Sequence, residues 1–212
     1  MTLEELNEFS QSLEKWQNFK GTNKENEQMN TTAQTEGDET PEETLTRIKN
    51  KFDNETINLL LEELYGIDPY LFEKIVLKVL HKMGYGGINP KAINLTKKSG
   101  DGGIDGWINE DTLGLEKVYV QAKRNGVDNK ISSPIIQNFM GAIGSQHGNK
   151  GVLITTSKFT DDARNTPTGN YKIVLIDGRE LAEYMLAYDI GVQEKEVIKI
   201  KQIDYDFFNE EN

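Results

Sequence analysis

Two short segments of the sequence carry the residues best suited to chemistry, and they read SGDGGIDG and VYVQAKR. In the second segment apolar and polar residues alternate, which is typical of a β-strand and puts Gln121 and Lys123 on one face. Asp105 lies on the strand predicted just before it, and a hairpin would pair the two strands antiparallel. An aspartate on one strand and a Gln-x-Lys on its neighbour can therefore converge on one point.

Those three side chains suit metal-assisted hydrolysis of a phosphodiester. A carboxylate and an amide oxygen are hard ligands appropriate to Mg2+, which keeps several waters for the phosphate and the nucleophile. The ammonium of Lys123 can orient the attacking water and stabilise charge developing on phosphorus. Glu73, beside Phe72 on a predicted apolar helix, supplies a second carboxylate if its face turns inward. Taken singly, each of these features is common in proteins, and it is their order along the chain that makes the set specific.

The elements that must position these residues form an alternating α/β pattern. Apolar residues at helical spacing predict a helix from Pro41 to about Tyr65, and Asp68-Pro69 opens a second helix that ends at Gly84. Strands are predicted over 92–97, 104–109, 117–123, 151–155 and 173–176, and further helices over 133–143, 160–165 and 179–188. The fourth strand is a continuous apolar run, which suits a central strand covered on both faces. The pattern predicts a mixed β-sheet with helices on both sides.

The two ends of the chain differ from this middle part. Near the N-terminus, large apolar residues recur at three- and four-residue steps, at Leu3, Leu6, Phe9, Leu13, Trp16 and Phe19. This spacing predicts a short amphipathic helix, which docks on its own domain or on a sister subunit more readily than it serves as a recognition helix. The following segment holds only Met29 and Ala33 as apolar residues, which predicts a flexible linker. The predicted divisions are a helix over 1–20, an acidic linker over 21–40, a folded domain over 41–192 and an acidic C-terminal extension over 193–212.

The net charge of -11 is unevenly distributed. Residues 1–46 hold 11 acidic and 3 basic residues, and residues 177–212 hold 10 acidic and 4 basic residues, which leaves +3 for residues 47–176. The overall acidity disfavours a nucleic-acid partner, but the part that carries the chemistry is weakly basic. Such a domain is expected to bind DNA loosely and with strong salt sensitivity.

Composition excludes several other classes of site. The absence of cysteine removes disulfides, thiolate nucleophiles and iron–sulfur clusters. The two histidines, His81 and His147, have no nucleophile partner that a catalytic triad requires. No Gly-x4-Gly-Lys phosphate loop occurs, and no run approaches the roughly 18 apolar residues of a membrane helix. The acidic first twenty residues argue against a signal peptide, so a cytoplasmic location without a membrane partner is expected.

Several segments of the chain resemble those of a known family. The stretch from about Pro69 to Val192, about 124 of the 212 residues, resembles the catalytic domain of Mrr-type restriction endonucleases within the PD-(D/E)xK nuclease superfamily. The matching segments are PYLFEKIVLKVLHKMGY, SGDGGIDGWI, VYVQAKR, FMGAIG, KGVLITTSKFTDDAR and IVLIDGRELAEYM. The pair GDGGIDG and QAK is the most discriminating of them.

The resemblance implies a restriction-endonuclease-like α/β fold, in which a mixed β-sheet core is flanked by helices, and Mg2+-dependent cleavage of DNA, with Mn2+ as a substitute ion. It implies Asp105 and Gln121 as metal ligands, Lys123 as the catalytic lysine, and Glu73 as a supporting acid and further ligand. Gln121 stands where the superfamily more often has a second acid, as is typical of the Mrr branch. One negative charge fewer predicts weaker metal binding.

Residues around this centre are candidate contacts to nucleic acid: Lys97, Lys98, Arg124, Ser157 and Lys158. As phosphate contacts they would position a backbone without reading its sequence. The chain departs from the resemblance at its N-terminus, where Mrr-like enzymes usually carry a winged-helix domain that reads DNA. Residues 1–46 are too short and too acidic for one, so a preference for modified DNA does not transfer from the resemblance.

The leading hypothesis from the sequence is a Mg2+-dependent DNA endonuclease that serves restriction or defence against foreign DNA. Because cleavage of a duplex needs two cuts, a homodimer or a higher homo-oligomer is expected. Two alternatives stay open: a nuclease-fold module that binds DNA or a partner without cutting, and the nuclease subunit of a larger defence complex held by residues 1–20. The presence of both Asp105 and Lys123 argues against the first, since a decayed site should lose one of them.

Overall fold

The structure is a computed structural model that describes residues 39–87, 93–95 and 103–209. The predicted helix over 1–20, nearly all of the predicted linker, and Lys97 and Lys98 lie outside the described residues. Contacts group the chain into two compact units, Met1–Thr44 and Leu45–Asn212. The second unit holds the sheet and its helices.

Two helices precede the sheet, close to the predicted bounds. Helix α1 spans Pro41–Gly66 and helix α2 spans Pro69–Lys82. Asp68 caps α2 as its sequence predicts: one carboxylate oxygen accepts hydrogen bonds from the amides of Tyr70 and Leu71, at 2.9 and 3.2 Å. These bonds satisfy amides that the first helical turn leaves without an intrahelical partner.

Five strands form one mixed sheet in the order β1-β2-β3-β4-β5. The strands are β1 (Ile93–Leu95), β2 (Gly106–Asn109), β3 (Lys117–Lys123), β4 (Lys150–Thr155) and β5 (Lys172–Ile176). The pairs β1/β2 and β2/β3 are antiparallel, whereas β3/β4 and β4/β5 are parallel. The predicted mixed sheet, with its antiparallel hairpin ahead of β3, is confirmed.

The remaining helices connect and follow the parallel strands: α3 (Ser133–Ser145), α4 (Asp161–Arg164), α5 (Gly178–Ala187) and α6 (Tyr205–Asn209). The first three match predicted helices to within two residues at each end. Helix α6 lies in the C-terminal extension and was not predicted, and all five of its residues are exposed.

The sheet buries a separate apolar cluster on each face. Helices α1, α2 and α5 pack on one face, where Val118, Val120 and Val152 belong to the larger cluster. Helices α3 and α4 pack on the other, where Tyr119 and Leu153 belong to the second cluster. Strand β4 is buried along both faces from its second residue onward, as its unbroken apolar run predicts. Among the described residues, no helix is long and apolar enough to cross a membrane.

The β2–β3 hairpin is tied to the centre of the sheet at its turn. Lys150, the first residue of β4, forms ion pairs with Glu110 and Glu116 from the two ends of the hairpin connection. These contacts raise the pKa of the Lys150 ammonium, because each carboxylate favours its charged form. The hairpin that carries the candidate active site is thereby fixed to β4 as well as to its own strands.

Candidate active site

Strand β3 presents Gln121 and Lys123 on one face. Val118 and Val120 point into the cluster beneath α1 and α2, whereas Tyr119 points into the cluster beneath α3. Since side chains alternate along a strand, Gln121 and Lys123 share the face of Tyr119. The strand predicted over 117–123 is confirmed, and the opposite faces of Val118 and Tyr119 agree with its predicted alternation.

Asp105 lies immediately before β2 and continues its pairing with β3. Its amide donates to the carbonyl of Val120 at 2.9 Å, and its carboxylate Oδ2 accepts from the amide of Ala122 at 2.8 Å. The registry Gly106↔Val120 places Asp105 across from Gln121. The sequence assigned Asp105 to the strand itself, and the structure puts the strand's first residue one position later.

The carboxyl group of Asp105 has a raised pKa. Burial raises its pKa above the ordinary value, and this outweighs the bond from Ala122 and the attraction of Lys123, which both lower it. Burial disfavours the carboxylate because a charge loses solvation in the protein interior. A cation bound beside Asp105 would supply the missing stabilisation of that charge.

Gln121 is the most constrained polar side chain of the site, with 4 % of its surface exposed. Its Nε2 donates to the carbonyl of Gly103, which fixes the amide's orientation. Gly103 has a positive φ of 94°, and a Cβ at that position would collide with this same Nε2. A glycine is therefore required here both by the backbone conformation and by the close approach of Gln121.

The other end of the same amide has no partner. Among the described residues, Gln121 Oε1 is the one buried side-chain oxygen or nitrogen atom that lacks a hydrogen bond. A buried amide oxygen left unsatisfied costs about 1–3 kcal/mol, so its retention next to a buried carboxylate needs a reason. A cation bound between Asp105 and Gln121 would supply such a reason, because both groups offer hard oxygen ligands.

Lys123 is partly buried at the end of β3, and its ammonium interacts electrostatically with the carboxylate of Asp105. Its backbone carbonyl accepts two hydrogen bonds from the end of β4, from Thr155 Oγ1 at 2.8 Å and from the amide of Thr156 at 3.2 Å. The structure thus brings together Asp105, Gln121 and Lys123.

Glu73 belongs to a helix on the sheet face opposite to Gln121. It lies on α2, one helical turn before Leu77, and Leu77 faces Gly106 from the opposite side of the sheet to Gln121. Glu73 is partly buried and has interactions of its own. Its predicted part in catalysis and metal binding rests on the resemblance.

The donor set at Asp105 and Gln121 fits a divalent cation that keeps most of its own water. Within residues 39–87, 93–95 and 103–209, no three His, Asp or Glu side chains form a group that could hold a metal ion. A carboxylate and an amide oxygen are nevertheless a common protein contribution to Mg2+, which retains several waters and takes further ligands from a phosphate.

The predicted DNA contacts fall into different environments. Arg124 is exposed next to Lys123, and its Nη1 donates to the carbonyl of Tyr65 at 2.7 Å. Lys158 is exposed and lines a cavity of about 180 Å3, with Arg179 and acidic residues of α5 in its wall. Ser157 is 2 % exposed, and its hydroxyl donates to the carbonyl of Val127 at 3.1 Å. A phosphate contact by Ser157 would require this hydroxyl to leave a buried bond.

Sequence reasoning missed the backbone groups that orient the site. The carbonyl of Gly103 and the amide of Ala122 hold the Gln121 and Asp105 side chains. Main-chain donors and acceptors are present at nearly every residue, so their use leaves no signature in residue types. The glycine at 103 was the available signal, since a positive φ favours glycine.

A mixed five-stranded sheet that presents Asp and Gln-x-Lys on neighbouring strands defines an α/β nuclease-type domain. A family model described as "Restriction endonuclease", the Mrr catalytic domain, matches residues 64–185. The chain belongs to this Mrr-type restriction endonuclease family.

One relative and two solved structures give the extent of the similarity. The chain is 44% identical over 149 residues to the type IV methyl-directed restriction enzyme EcoKMrr of Escherichia coli (strain K12), which covers 70% of this chain and 48% of that enzyme. It therefore spans about half the length of this relative. The DNA modification-dependent restriction endonuclease AspBHI aligns at 18% identity and a TM-score of 0.49, over 82% of this chain and 44% of that one. MspJI restriction endonuclease in complex with a 27-mer oligonucleotide aligns at 21% identity and a TM-score of 0.44, over 74% and 35%.

Proposed function

We propose that this chain is a metal-dependent DNA endonuclease whose active site is built on Asp105, Gln121 and Lys123. The observation that carries the proposal is the unsatisfied Gln121 Oε1 opposite the buried carboxylate of Asp105. Both groups are costly in the fold without a cation and are suited to bind one. Membership of the restriction endonuclease family supports DNA as the substrate and defence against foreign DNA as the role.

The residues have distinct tasks in the proposed reaction. Asp105 and Gln121 Oε1 bind the cation, with Glu73 as a further candidate from α2. A divalent cation, when bound, supplies Lewis-acid activation of the scissile phosphate. The Lys123 ammonium orients the attacking water and stabilises the negative charge that develops on the phosphate oxygens. Arg124 and Lys158, together with Lys97 and Lys98, are proposed to contact the DNA backbone.

The ion is proposed to be Mg2+, with Mn2+ as a substitute. Restriction endonucleases generally use divalent metal ions. Two oxygen donors from the protein, one of them uncharged, suit an ion that brings its own water. Because the protein contributes a single negative charge at Asp105 and Gln121, metal binding is expected to be weak.

The acting form is proposed to be a homodimer or a higher homo-oligomer, since one site makes one cut and a duplex has two strands. A partner subunit held by residues 1–20 is the alternative assembly. The relative's name gives methyl-directed restriction as that enzyme's activity, and this chain spans 48% of its length. For this chain we propose DNA cleavage, and a comparison of methylated with unmethylated plasmid measures any preference for modified DNA.

Plasmid nicking tests the proposed function. The wild-type chain is incubated with supercoiled DNA, methylated or unmethylated, in Mg2+, in Mn2+ or in a chelator. Relaxed or linear products in the metal reactions and none in the chelator are expected. Failure to cut either DNA in either metal, with the protein folded and metal bound, would overturn the proposal that this chain cuts DNA by itself.

Gln121→Glu is expected to tighten metal binding by about tenfold or more, because a second carboxylate replaces a neutral ligand beside the ion. The same change should destabilise the metal-free fold by about 1–3 kcal/mol, since a glutamate cannot donate to the Gly103 carbonyl. Isothermal titration with Mg2+ and thermal unfolding without metal measure the two effects.

Gln121→Leu is the matched variant, similar in volume and without either polar atom. It is expected to lose the Mg2+-induced rise in unfolding temperature. Equal Mg2+ affinity in the wild type, the glutamate variant and the leucine variant would remove Gln121 from the metal site.

A further inference from the structure

Three consecutive hydroxyl residues, the last residue of β4 and the two that follow it, are buried. Thr155, Thr156 and Ser157 are 0, 1 and 2 % exposed. Each hydroxyl donates to a carbonyl of the chain that leaves β3: Thr155 to Lys123 at 2.8 Å, Thr156 to Asn125 at 2.6 Å and Ser157 to Val127 at 3.1 Å. The three acceptors are alternate residues, so the hydroxyls form a ladder that continues the β3–β4 pairing through side chains.

Backbone bonds reinforce this hydroxyl ladder. The amide of Thr156 donates to the Lys123 carbonyl at 3.2 Å, and the amide of Asn125 donates to Thr156 Oγ1 at 2.8 Å. Thr156 thus holds both backbone groups of Asn125, while the Lys123 carbonyl receives two donors. The ladder fixes the main chain from Lys123 to Val127, the segment that begins at the proposed catalytic lysine.

The choice of residues at the ladder differs from the rest of β4. The preceding positions, Val152, Leu153 and Ile154, are buried and apolar. A buried hydroxyl gains little over an apolar group of the same shape unless it satisfies a specific partner. Packing alone would be served by valine at 155 and 156, so the hydroxyls are explained by the carbonyls that they hold.

We infer that Thr155, Thr156 and Ser157 are positioning residues, which set the reach of the Lys123 ammonium toward the cation at Asp105. This inference rests on the proposed nuclease function. A lysine side chain has four rotatable bonds, so the place of its ammonium depends on where its backbone is anchored. Misplacing a catalytic group by about 1 Å can slow a reaction by about 100-fold. Ser157 in this role acts through Val127 and the loop instead of touching a phosphate.

The test compares Thr155→Val with Thr155→Ser. Valine keeps the volume and removes the bond to the Lys123 carbonyl, whereas serine keeps the hydroxyl. Single-turnover nicking in saturating Mg2+ gives the chemical rate, and DNA affinity is measured separately by fluorescence anisotropy. Thr155→Val is expected to slow nicking by about 10- to 100-fold with unchanged DNA affinity, and Thr155→Ser should restore most of the rate.

Thr166→Val is the matched control for a purely structural role. Thr166 is 8 % exposed, and its hydroxyl bonds Ser133 Oγ and the Asp162 carbonyl, each at 2.9 Å, neither of which belongs to the hydroxyl ladder. The unfolding temperature of Thr166→Val should fall as that of Thr155→Val does, whereas its nicking rate should equal that of the wild type. If Thr155→Val does not fold, Thr156→Val takes its place, with the same expected loss of rate.

The outcomes separate the inference from the proposed function. If Thr155→Val and Thr156→Val both nick DNA at the wild-type rate, the inference is overturned and the proposed function stands. Loss of rate in Thr166→Val as large as in Thr155→Val would also overturn it, because stability alone would then explain the effect. A folded wild type that cuts no DNA would overturn both.

Discussion

Lys123→Ala is expected to lower the rate of plasmid nicking by about 100- to 1000-fold while leaving metal binding intact. The loss follows from the removal of an ammonium that interacts with Asp105 and that can stabilise charge developing on the phosphate. Metal binding should survive because Asp105 and Gln121 Oε1 keep their positions, held by the backbone groups of Ala122 and Gly103. Single-turnover nicking measures the first effect, and Mg2+-induced thermal stabilisation measures the second.

Lys117→Ala is the control for removing a lysine from the same strand. Lys117 is the exposed first residue of β3, and its ammonium lies 5.0 Å from the centre of the Trp107 ring, at the far end of the strand from Lys123. It should nick DNA at the wild-type rate. A Lys123→Ala chain that nicks as fast as Lys117→Ala would remove the lysine from the mechanism.

The sequence was most informative where one physical pattern dominates. Alternation in VYVQAKR predicted both the bounds of β3 and the shared face of Gln121 and Lys123, because the side-chain period of a strand is fixed by its geometry. Asp68-Pro69 predicted the start of α2 because a capping carboxylate and a fixed φ both suit a first helical turn. Such local rules need no knowledge of the rest of the fold.

The sequence was less informative where the outcome depends on which elements meet. Helical spacing in α2 shows which residues are buried, but it does not show which face of the sheet the helix covers. That face decides the surroundings of Glu73, and the helix packs opposite to Gln121. Likewise, the residue types of Thr155, Thr156 and Ser157 do not show where their hydroxyls donate, because the acceptors lie about 30 residues earlier in the chain. Long-range partners of this kind follow from sheet order, which local patterns leave open.

Asp105→Asn is expected to abolish nicking and, without metal, to make the chain more stable than the wild type at neutral pH. Nicking is lost because a neutral amide replaces the carboxylate that lies across the β2–β3 pairing from Gln121. Stability rises because burial raises the pKa of the Asp105 carboxyl, which means that its ionised form disfavours the fold. Asparagine can still accept the hydrogen bond from the Ala122 amide.

The sign of the pH dependence follows from the raised pKa. Below the ordinary value of 3.8 the carboxyl is protonated in both the folded and the unfolded chain, so the variant gains nothing there from removal of the charge. As the pH rises through the raised pKa of the folded state, the wild type loses stability and the variant does not. The difference in unfolding free energy should therefore grow from acidic to neutral pH, as urea titrations at several pH values would show.

Added Mg2+ should make the wild type more stable than Asp105→Asn, because the wild type alone gains a bound cation that stabilises the Asp105 carboxylate. Asp128→Asn is the control: it removes one exposed carboxylate from the loop after β3 and should change neither the metal response nor the stability by more than about 0.5 kcal/mol. An Asp105→Asn chain that is less stable than the wild type without metal, or equally stabilised by Mg2+, would show that the buried carboxylate is structural. The buried negative charge of Asp105 thus destabilises the metal-free fold and, for the same reason, favours binding of a cation.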